Sequence, residues 1–202
     1  MDGSPPATAR RGPYPKSVET RAAILDRATE LIGEHGPEHV SLRMIAESLG
    51  MSHPALTYYF SSRDELLLAV LDESERRALE QNDTVRTVPR MRRSSRRNEE
   101  TPGTIQLYLS LAARALNDDG IVREHITARF ERVRARFEQR IITDQAAGSV
   151  RSDLDASAIA ALLVAAMDGL QLQHLLAPDV DQDAALAILE ELLPPADAAV
   201  RP

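Results

Sequence analysis

Polar side chains suited to hydrogen bonding are concentrated between residues 41 and 63 of this sequence. Ser41 and Ser52 each precede an apolar run, where residues that cap the N-terminus of a helix usually stand. His53 and Thr57 follow closely, and their imidazole and hydroxyl groups donate and accept hydrogen bonds. Because helix N-termini also attract anions, these residue types at this spacing favour a phosphate-bearing partner.

No comparable pattern indicates catalysis. The chain has no cysteine, which excludes thiolate metal sites, cysteine nucleophiles and disulfides. His125, His174 and Asp168 lack the close spacing of metal-ligand motifs, and the sequence has no phosphate-binding glycine loop. We therefore expect a protein that is not an enzyme and that uses no metal or cofactor.

The net charge of −7 disfavours a nucleic-acid partner at first sight, because neutralising phosphates needs clustered basic residues. A binding surface can nevertheless differ locally from the whole chain. Residues 41–63 carry two arginines against Glu47, and Arg10 and Arg11 make the Pro-rich segment 1–16 basic. We expect that segment to be a disordered tail, which either reaches a neighbouring minor groove or stays in solvent.

Apolar residues recur at helical spacing along most of the chain, and no segment shows the alternation of a strand. We predict an all-α fold of about nine helices, with helices near residues 17–35, 42–49, 53–60, 62–81, 101–117, 126–148, 156–177 and 181–193. The arginine-rich segment 84–101 contains Pro89 and is predicted to be a flexible loop. Such a loop could contact DNA non-specifically, attract an acidic partner or simply be solvated.

The helices at 42–49 and 53–60 are joined by a short turn containing Gly50, which is the arrangement of a helix-turn-helix. Gly50 would supply the positive φ of the turn, and Ala46 is small enough for the helices to approach closely. With Leu56 turned inward, the outer face that could enter a major groove consists of His53, Pro54, Ala55, Thr57 and Tyr58. In the alternative, this pair is only a tight hairpin in a bundle, with half-buried tyrosines.

The segments RAAILDRATELI and VSLRMIAESLGMSHPALTYYFSSRDELLLAVL, within residues 21–71, resemble the DNA-binding domain of the tetracycline-repressor (TetR) family of bacterial transcription regulators. The segment AALLVAAMDGLQLQHLL is similar to the dimerisation helix of that family. The resemblance implies an N-terminal three-helix helix-turn-helix domain at 17–62 and a C-terminal helical domain for effector binding and dimerisation at 63–194. A short tail at 195–202 would follow.

The function implied by the resemblance is that of a homodimeric repressor, which binds a pseudo-palindromic double-stranded DNA operator and is released by a small-molecule effector. A DNA-binding regulator without a ligand and a helical protein-interaction module remain alternatives. We expect a cytoplasmic protein without a membrane partner. The apolar stretches look shorter than the roughly 18 residues of a membrane span, and the N-terminus lacks a signal-peptide core.

By the same resemblance, the third helix would read bases through His53, Pro54, Ala55 and Thr57. The DNA backbone would be held by Ser41, Arg43, Ser52, Tyr58, Tyr59 and Arg63. Two positions depart from the pattern of the family. Threonine stands at 57 where tyrosine is common, which leaves the base preference open, and arginine at 63 replaces the usual lysine, which changes the geometry of a phosphate contact.

The segment 156–177 is apolar on nearly every side, so we expect it to be buried by a second subunit or at the centre of a monomer. The candidate dimer contacts are Leu163, Ala166, Leu170, His174, Ala185, Leu189 and Leu192. For the effector pocket that the family implies, the candidates are Leu107, Tyr108, Leu111, His125, Phe130, Phe137, Met167 and Gln171. Each of these could equally be a core residue. Arg114 and Arg129 could anchor an anionic ligand or lie in solvent.

Overall fold

The computed structural model of the protein describes residues 15–80 and 86–194. Over these ranges the regular structure is helical, which confirms the all-α prediction, and a 3-10 turn spans Pro37–His39. The α-helices are α1 (Pro15–His35), α2 (Leu42–Ser48), α3 (His53–Thr57), α4 (Arg63–Glu80), α5 (Thr87–Glu100), α6 (Pro102–Ala115), α7 (Ile121–Ala146), α8 (Ala156–Leu176) and α9 (Gln182–Leu192).

The two predicted terminal tails fall largely outside the described residues. Of the predicted N-terminal tail at 1–16, Pro15 and Lys16 are described, and they begin α1. The predicted tail at 195–202 lies outside the described residues entirely.

Local sequence explains the hairpin formed by α2 and α3. The hydroxyl of Ser41 accepts a hydrogen bond from the Met44 amide at 3.2 Å, and that of Ser52 accepts one from the Ala55 amide at 3.3 Å, so both serines are N-caps as predicted. Gly50 in the turn has a φ of 64°, a left-handed conformation that favours glycine. α3 ends at Thr57, earlier than the predicted residue 60.

α4 begins with a variant of the capping box, in which two residues near a helix start hydrogen-bond each other's backbone amides. The Ser62 hydroxyl accepts from the Glu65 amide at 3.1 Å. Glu65 reaches back, but its carboxylate accepts from the backbone amide and the hydroxyl of Ser61, at 2.8 and 2.7 Å, rather than from Ser62. These hydrogen bonds from Ser61 lower the pKa of Glu65, because they stabilise its charged form.

Two apolar cores position the rest of the molecule. The first joins α1, α2, α3 and α4 to α6 and the beginning of α7, and it includes Phe60, Leu107 and Leu111. The second joins α5, α7, α8 and α9 around Met91 and Leu163. Five residues of α4 are buried in the first core: Leu66, Leu67, Leu68, Val70 and Leu71. The hairpin is therefore packed, through α4, onto helices of the C-terminal half.

Residues 87–100 were expected to belong to a flexible loop, and that prediction is wrong because they form α5. Thr87, Met91 and Ser95 recur every fourth residue and are buried, which gives the helix an inward stripe. Pro89 lies in the first turn, where its missing N–H costs no helical hydrogen bond. The Arg92 guanidinium meets the Asp183 carboxylate of α9 at 2.9 and 2.6 Å, so acids distant in sequence balance the arginines.

The expectation that no apolar stretch reaches the length of a membrane span is also wrong. α8 is long and apolar enough to cross a membrane by length and composition, with a mean hydropathy of 1.5 over its most apolar window. Its residues Ile159, Ala160, Leu163 and Val164 are nevertheless buried inside the protein. A core helix of a bundle meets the same criterion, so length and composition alone are weak evidence for insertion.

Candidate nucleic-acid interface

The surface of α3 is turned away from the protein while its inner side is fixed. Leu56 has no exposed surface and belongs to the first core. His53, Pro54 and Ala55 are exposed, and Thr57 is half-buried. The Thr57 hydroxyl donates to the Pro54 carbonyl at 3.0 Å. The structure thus brings the four predicted base-reading residues onto one short, firmly held element.

The two adjacent tyrosines have different environments. Tyr58 is 82% exposed, whereas Tyr59 is half-buried and packs against the first core. Their rings meet edge to face, with centroids 5.3 Å apart and planes at 90°. Tyr59 therefore orients Tyr58, whose phenol points to solvent beside α3. The alternative in which both tyrosines are packing residues fits Tyr59 but not Tyr58.

The helix starts at Ser41 and Ser52 lie near the same surface. Each serine is exposed and satisfies one amide of its own helix. The remaining first-turn amides of α2 and α3 give each start a partial positive charge, which suits a phosphate. Neither helix is long, so this effect supports charged side chains nearby rather than replacing them.

Arg43 is an exposed cation on this surface. Its side chain is 81% exposed and its Nε donates to the Glu47 carboxylate at 2.8 Å, one turn along α2. An exposed pair of this kind contributes little to stability and exchanges easily. Arg43 can therefore leave Glu47 for a phosphate at small cost, although Glu47 reduces the local positive charge.

Arg63 was predicted to contact a phosphate, but its side chain hydrogen-bonds backbone carbonyls of the protein. Its Nε donates to the Val40 carbonyl at 2.8 Å, and its Nη2 donates to the Pro37 carbonyl. The guanidinium thereby ties the start of α4 to the segment that leads into α2. A phosphate contact by Arg63 remains a prediction, and it would have to use the rest of the guanidinium.

Most of the predicted effector residues are divided between the two cores and two cavities formed by described residues. Leu107, Tyr108 and Leu111 are buried in the first core, and Phe130 packs against it. Met167 packs against the second core. Phe137 lines a cavity of about 160 Å³ between α4, α5 and α7. Gln171 and the predicted dimer residue His174 line another, of about 340 Å³, between α5, α6, α8 and α9.

A polar network crosses the helices beside the first of these cavities. The Tyr108 hydroxyl donates to Asp168 at 2.9 Å, and the Arg129 guanidinium lies over the Tyr108 ring, 4.0 Å from its centroid. Burial raises the pKa of Asp168. Burial also raises the pKa of Tyr108, and the nearby Asp168 carboxylate adds to that shift. The tyrosine therefore keeps its proton and can remain the donor.

Polar side-chain pairs between α4 and the C-terminal helices were missed by the sequence reasoning. Arg114 of α6 meets Asp64 with both Nη atoms at 2.9 Å. His125 of α7 lies 2.9 Å from Asp72, and Arg129 of α7 pairs with Glu75. The basic partners were recognised as possible anchors for a ligand, but their acidic partners lie about fifty residues away in sequence and no local pattern pointed to them.

Most of the residues predicted to contact a second subunit do not lie on the exposed side of α8 and α9. Leu192 is exposed, and the others are buried or half-buried in the single chain. Leu163 has no exposed surface and lies inside the second core, so its assignment to a subunit contact is wrong. Leu170 and Leu189 also pack against that core, and His174 Nδ1 lies 3.1 Å from the Val180 carbonyl. Ala166 and Ala185 are half-buried. The large apolar side chains exposed on α8 and α9 are Leu162, Leu172, Leu176, Ile188 and Leu192.

Two family models match the chain. The model described as bacterial regulatory proteins, tetR family, matches residues 24–70. The model described as BetI-type transcriptional repressor, C-terminal, matches residues 90–195, which is more than half of the sequence. Together they include the hairpin, the first part of α4 and most of the C-terminal helices.

Individual proteins agree with the models. An HTH-type transcriptional repressor of Mycobacterium tuberculosis is 42% identical over 67 residues, which are 33% of this chain and 36% of that protein. The chain thus aligns with about a third of that relative's length. The HTH-type transcriptional repressor AcnR of Corynebacterium glutamicum is 26% identical over 161 residues, or 76% of this chain and 81% of AcnR.

A solved structure extends the likeness to most of the chain. A putative transcriptional regulator from Saccharomonospora viridis, in complex with choline, has a TM-score of 0.69 and 24% identity, covering 87% of this chain and 95% of that one. These relatives are transcriptional regulators and not enzymes. With the helix-turn-helix at its N-terminus and the matched C-terminal helices, this chain belongs to the TetR family of bacterial regulatory proteins.

Proposed function

We propose that this regulator is a homodimeric repressor that occupies a pseudo-palindromic operator and leaves it when a small molecule binds among its C-terminal helices. The observation that carries the proposal is the exposed face of α3, where His53, Pro54 and Ala55 are open to solvent above the buried Leu56. One side of this short helix is packed against the core and the other is exposed, so the exposed side suits insertion into the major groove.

In this proposal His53 and Thr57 read base edges, and Pro54 and Ala55 make apolar contacts such as those to thymine methyl groups. Ser41, Arg43, Ser52, Tyr58, Tyr59 and Arg63 hold the DNA backbone. The Thr57 hydroxyl already donates to the Pro54 carbonyl, so it would accept from a base amino group without giving up that bond.

The dimer is proposed to form across the exposed apolar side chains of α8 and α9. Leu172 and Ile188 are 47% and 57% exposed in the single chain. Burying such side chains in a two-fold contact is favourable by roughly 25 cal/mol per Å² of apolar surface. A two-fold dimer also presents two copies of α3, as a palindromic site requires.

Release by a ligand is proposed to act through α4. This helix begins beside α3 and is paired with α6 and α7 through Asp64, Asp72 and Glu75. A ligand that changes these pairs shifts α4 and thereby the spacing of the two α3 helices. Action in the cytoplasm, where operators are accessible, completes the proposal. A regulator without a ligand and a protein-interaction module remain the alternatives.

Fluorescence anisotropy on duplexes from the gene's own upstream region tests the DNA-binding part. We expect His53→Ala and Thr57→Ala to reduce the preference for the operator over random duplex, since each base contact is worth about 1–3 kcal/mol. Arg43→Ala should weaken all duplexes alike and reduce the salt slope by about one. The exposed Arg134→Ala on α7 is the matched control for loss of an arginine. Operator preference unchanged in both α3 variants would reject the assignment of α3.

A further inference from the structure

The cavity between α4, α5 and α7 has an unusual lining. Its volume is about 160 Å³, and five arginines from α5 and α7 contribute to its wall: Arg90, Arg97, Arg129, Arg136 and Arg140. Ser94 adds a hydroxyl. Arginines on a helix surface commonly spread into solvent, whereas here they converge on one concave site from two helices.

The charge of this lining is strongly positive. Among the described residues that form the wall, Glu75 of α4 is the one carboxylate, and it pairs with Arg129. Arg90, Arg97 and Arg140 keep interactions within the protein as well. Guanidinium groups retain donors for more than one partner, because each carries five N–H groups in a planar fork. The wall can therefore offer several charge-assisted hydrogen bonds to one anion.

The same cavity has an apolar side and a limited size. Leu79, Val133 and Phe137 line it beside the arginines. A cavity of about 150 Å³ lined by apolar residues is known to accept a benzene molecule, so the space here suits a single ring with its substituents. An oxyanion without an organic body would leave the apolar wall uncovered.

We propose that this cavity binds a ring-sized organic anion, whose carboxylate or phosphate group meets the arginines while its apolar body lies against Val133 and Phe137. The inference rests on the proposed function, because it names the chemical class of the effector. It also separates this protein from the Saccharomonospora viridis regulator that was solved with choline. A quaternary ammonium is recognised by aromatic faces, and a wall of arginines repels it.

The pairing of Glu75 with Arg129 explains how a bound anion acts on α4. An incoming oxyanion competes with Glu75 for Arg129, because both are acceptors for the same guanidinium. Once Arg129 turns to the ligand, α4 loses an ion pair that joins it to α7. Bound anion therefore weakens operator affinity, in the direction expected of an inducer.

Isothermal titration calorimetry on the full-length protein tests the site with benzoate, phenyl phosphate, benzamide and choline. Benzoate and phenyl phosphate distinguish a carboxylate from a phosphate, and benzamide has nearly the shape of benzoate without its charge. We expect one or both anions to bind, and benzamide and choline to bind at least tenfold more weakly. Arg136→Gln should weaken the anion about tenfold, while Arg134→Gln, exposed on the same helix and outside the cavity, should leave it unchanged.

Three results would overturn the inference: absence of binding by both anions, equal binding of benzamide, or equal loss in Arg136→Gln and Arg134→Gln. Thermal melting of each variant shows that the fold is retained. Failure of this inference can be distinguished from failure of the proposed function. If the protein binds its operator but neither anion, only the anion site is refuted. If the protein binds the anion through Arg136 but binds no duplex, only the proposed repressor function is refuted.

Discussion

Gly103 of α6 lies directly against the backbone of Gly33 in α1. A Cβ added at Gly103 would lie 2.8 Å from the Cα of Gly33 and 3.1 Å from the Ile32 carbonyl oxygen. Backbone atoms on both sides cannot turn aside as a side chain can. The absence of a side chain at Gly103 therefore lets α6 pack directly against the backbone of α1.

This contact predicts that Gly103→Ala destabilises the protein. The added methyl forces α1 and α6 apart, and overpacking of this kind costs about 1–3 kcal/mol. Gly33→Ala is the matched control, because a Cβ at Gly33 meets nothing within 4 Å. In a helix interior that change stabilises by about 0.5–1 kcal/mol. Urea unfolding of both variants measures the difference, and equal midpoints would show that the contact is not tight in solution.

Removing the side chain of Arg63 and removing that of Arg43 are expected to change the stability of the protein by different amounts. Arg63→Ala removes donors to the Val40 and Pro37 carbonyls and should lower the free energy of unfolding by about 1–2 kcal/mol. Arg43→Ala removes an exposed cation and should leave stability within about 0.5 kcal/mol. Melting curves and DNA titrations on both variants test this. If Arg63→Ala melts like the wild type, its bracing role is wrong and a pure phosphate contact is favoured.

The ion pairs predict a loss of stability in acid. Arg92 and Arg96 hold the pKa of Asp183 far below its usual range, hydrogen bonds from Arg76 and Arg77 lower the pKa of Glu73 to about 2, and Arg114 lowers that of Asp64. A carboxylate whose folded pKa is depressed contributes stability that is complete above its unfolded pKa, near 4, and is lost as pH falls towards the folded value. Asp168, whose pKa is raised, acts in the opposite sense.

Melting temperatures between pH 7 and pH 3 check this expectation. The wild type should lose stability below about pH 4.5, since protonation then begins to compete with the ion pairs. Asp183→Asn should melt lower at neutral pH and show a shallower fall in acid, because its pair with Arg92 is already absent. The exposed Asp119→Asn provides the comparison. A slope in Asp183→Asn as steep as in the wild type would contradict the assignment.

The exposed face of α8 and α9 predicts that a charge at Leu172 separates the subunits. Leu172→Glu places a carboxylate where the proposed dimer buries apolar surface, and an unpaired buried charge is strongly unfavourable. We expect a monomer by light scattering, with operator affinity reduced by at least tenfold. Leu116→Glu is the control, since Leu116 is 78% exposed on a different surface, just after α6. A Leu172→Glu protein that remains dimeric would place the interface elsewhere.

The hairpin was predictable because its determinants are local. Ser41 and Ser52 cap the helices that follow them, Gly50 takes the left-handed turn, and Leu56 packs inward, all within one short stretch. Capping and helical periodicity act over three or four residues. They can therefore be read without knowledge of the rest of the chain, and the identity of the exposed α3 residues follows from them.

The prediction of a loop at α5 failed because it considered only residues that are neighbours in sequence. Its arginines have acidic partners on α9, and Arg92 lies 91 residues from Asp183 in sequence. A run of like charges reads as a solvated loop unless the balancing acids are known. The buried spacing of Thr87, Met91 and Ser95 was a signal that could have identified the helix.

The sequence by itself determined the helical class, the hairpin and its outward residues, because those depend on neighbours along the chain. Only the tertiary structure decided which side of α8 is exposed, since a helix that is apolar all round has no periodic signal for its orientation. It likewise decided that Arg63 braces carbonyls and that the arginines of α5 and α7 converge on one cavity. Those arrangements depend on the distance between elements in space, which residue spacing along the chain does not encode.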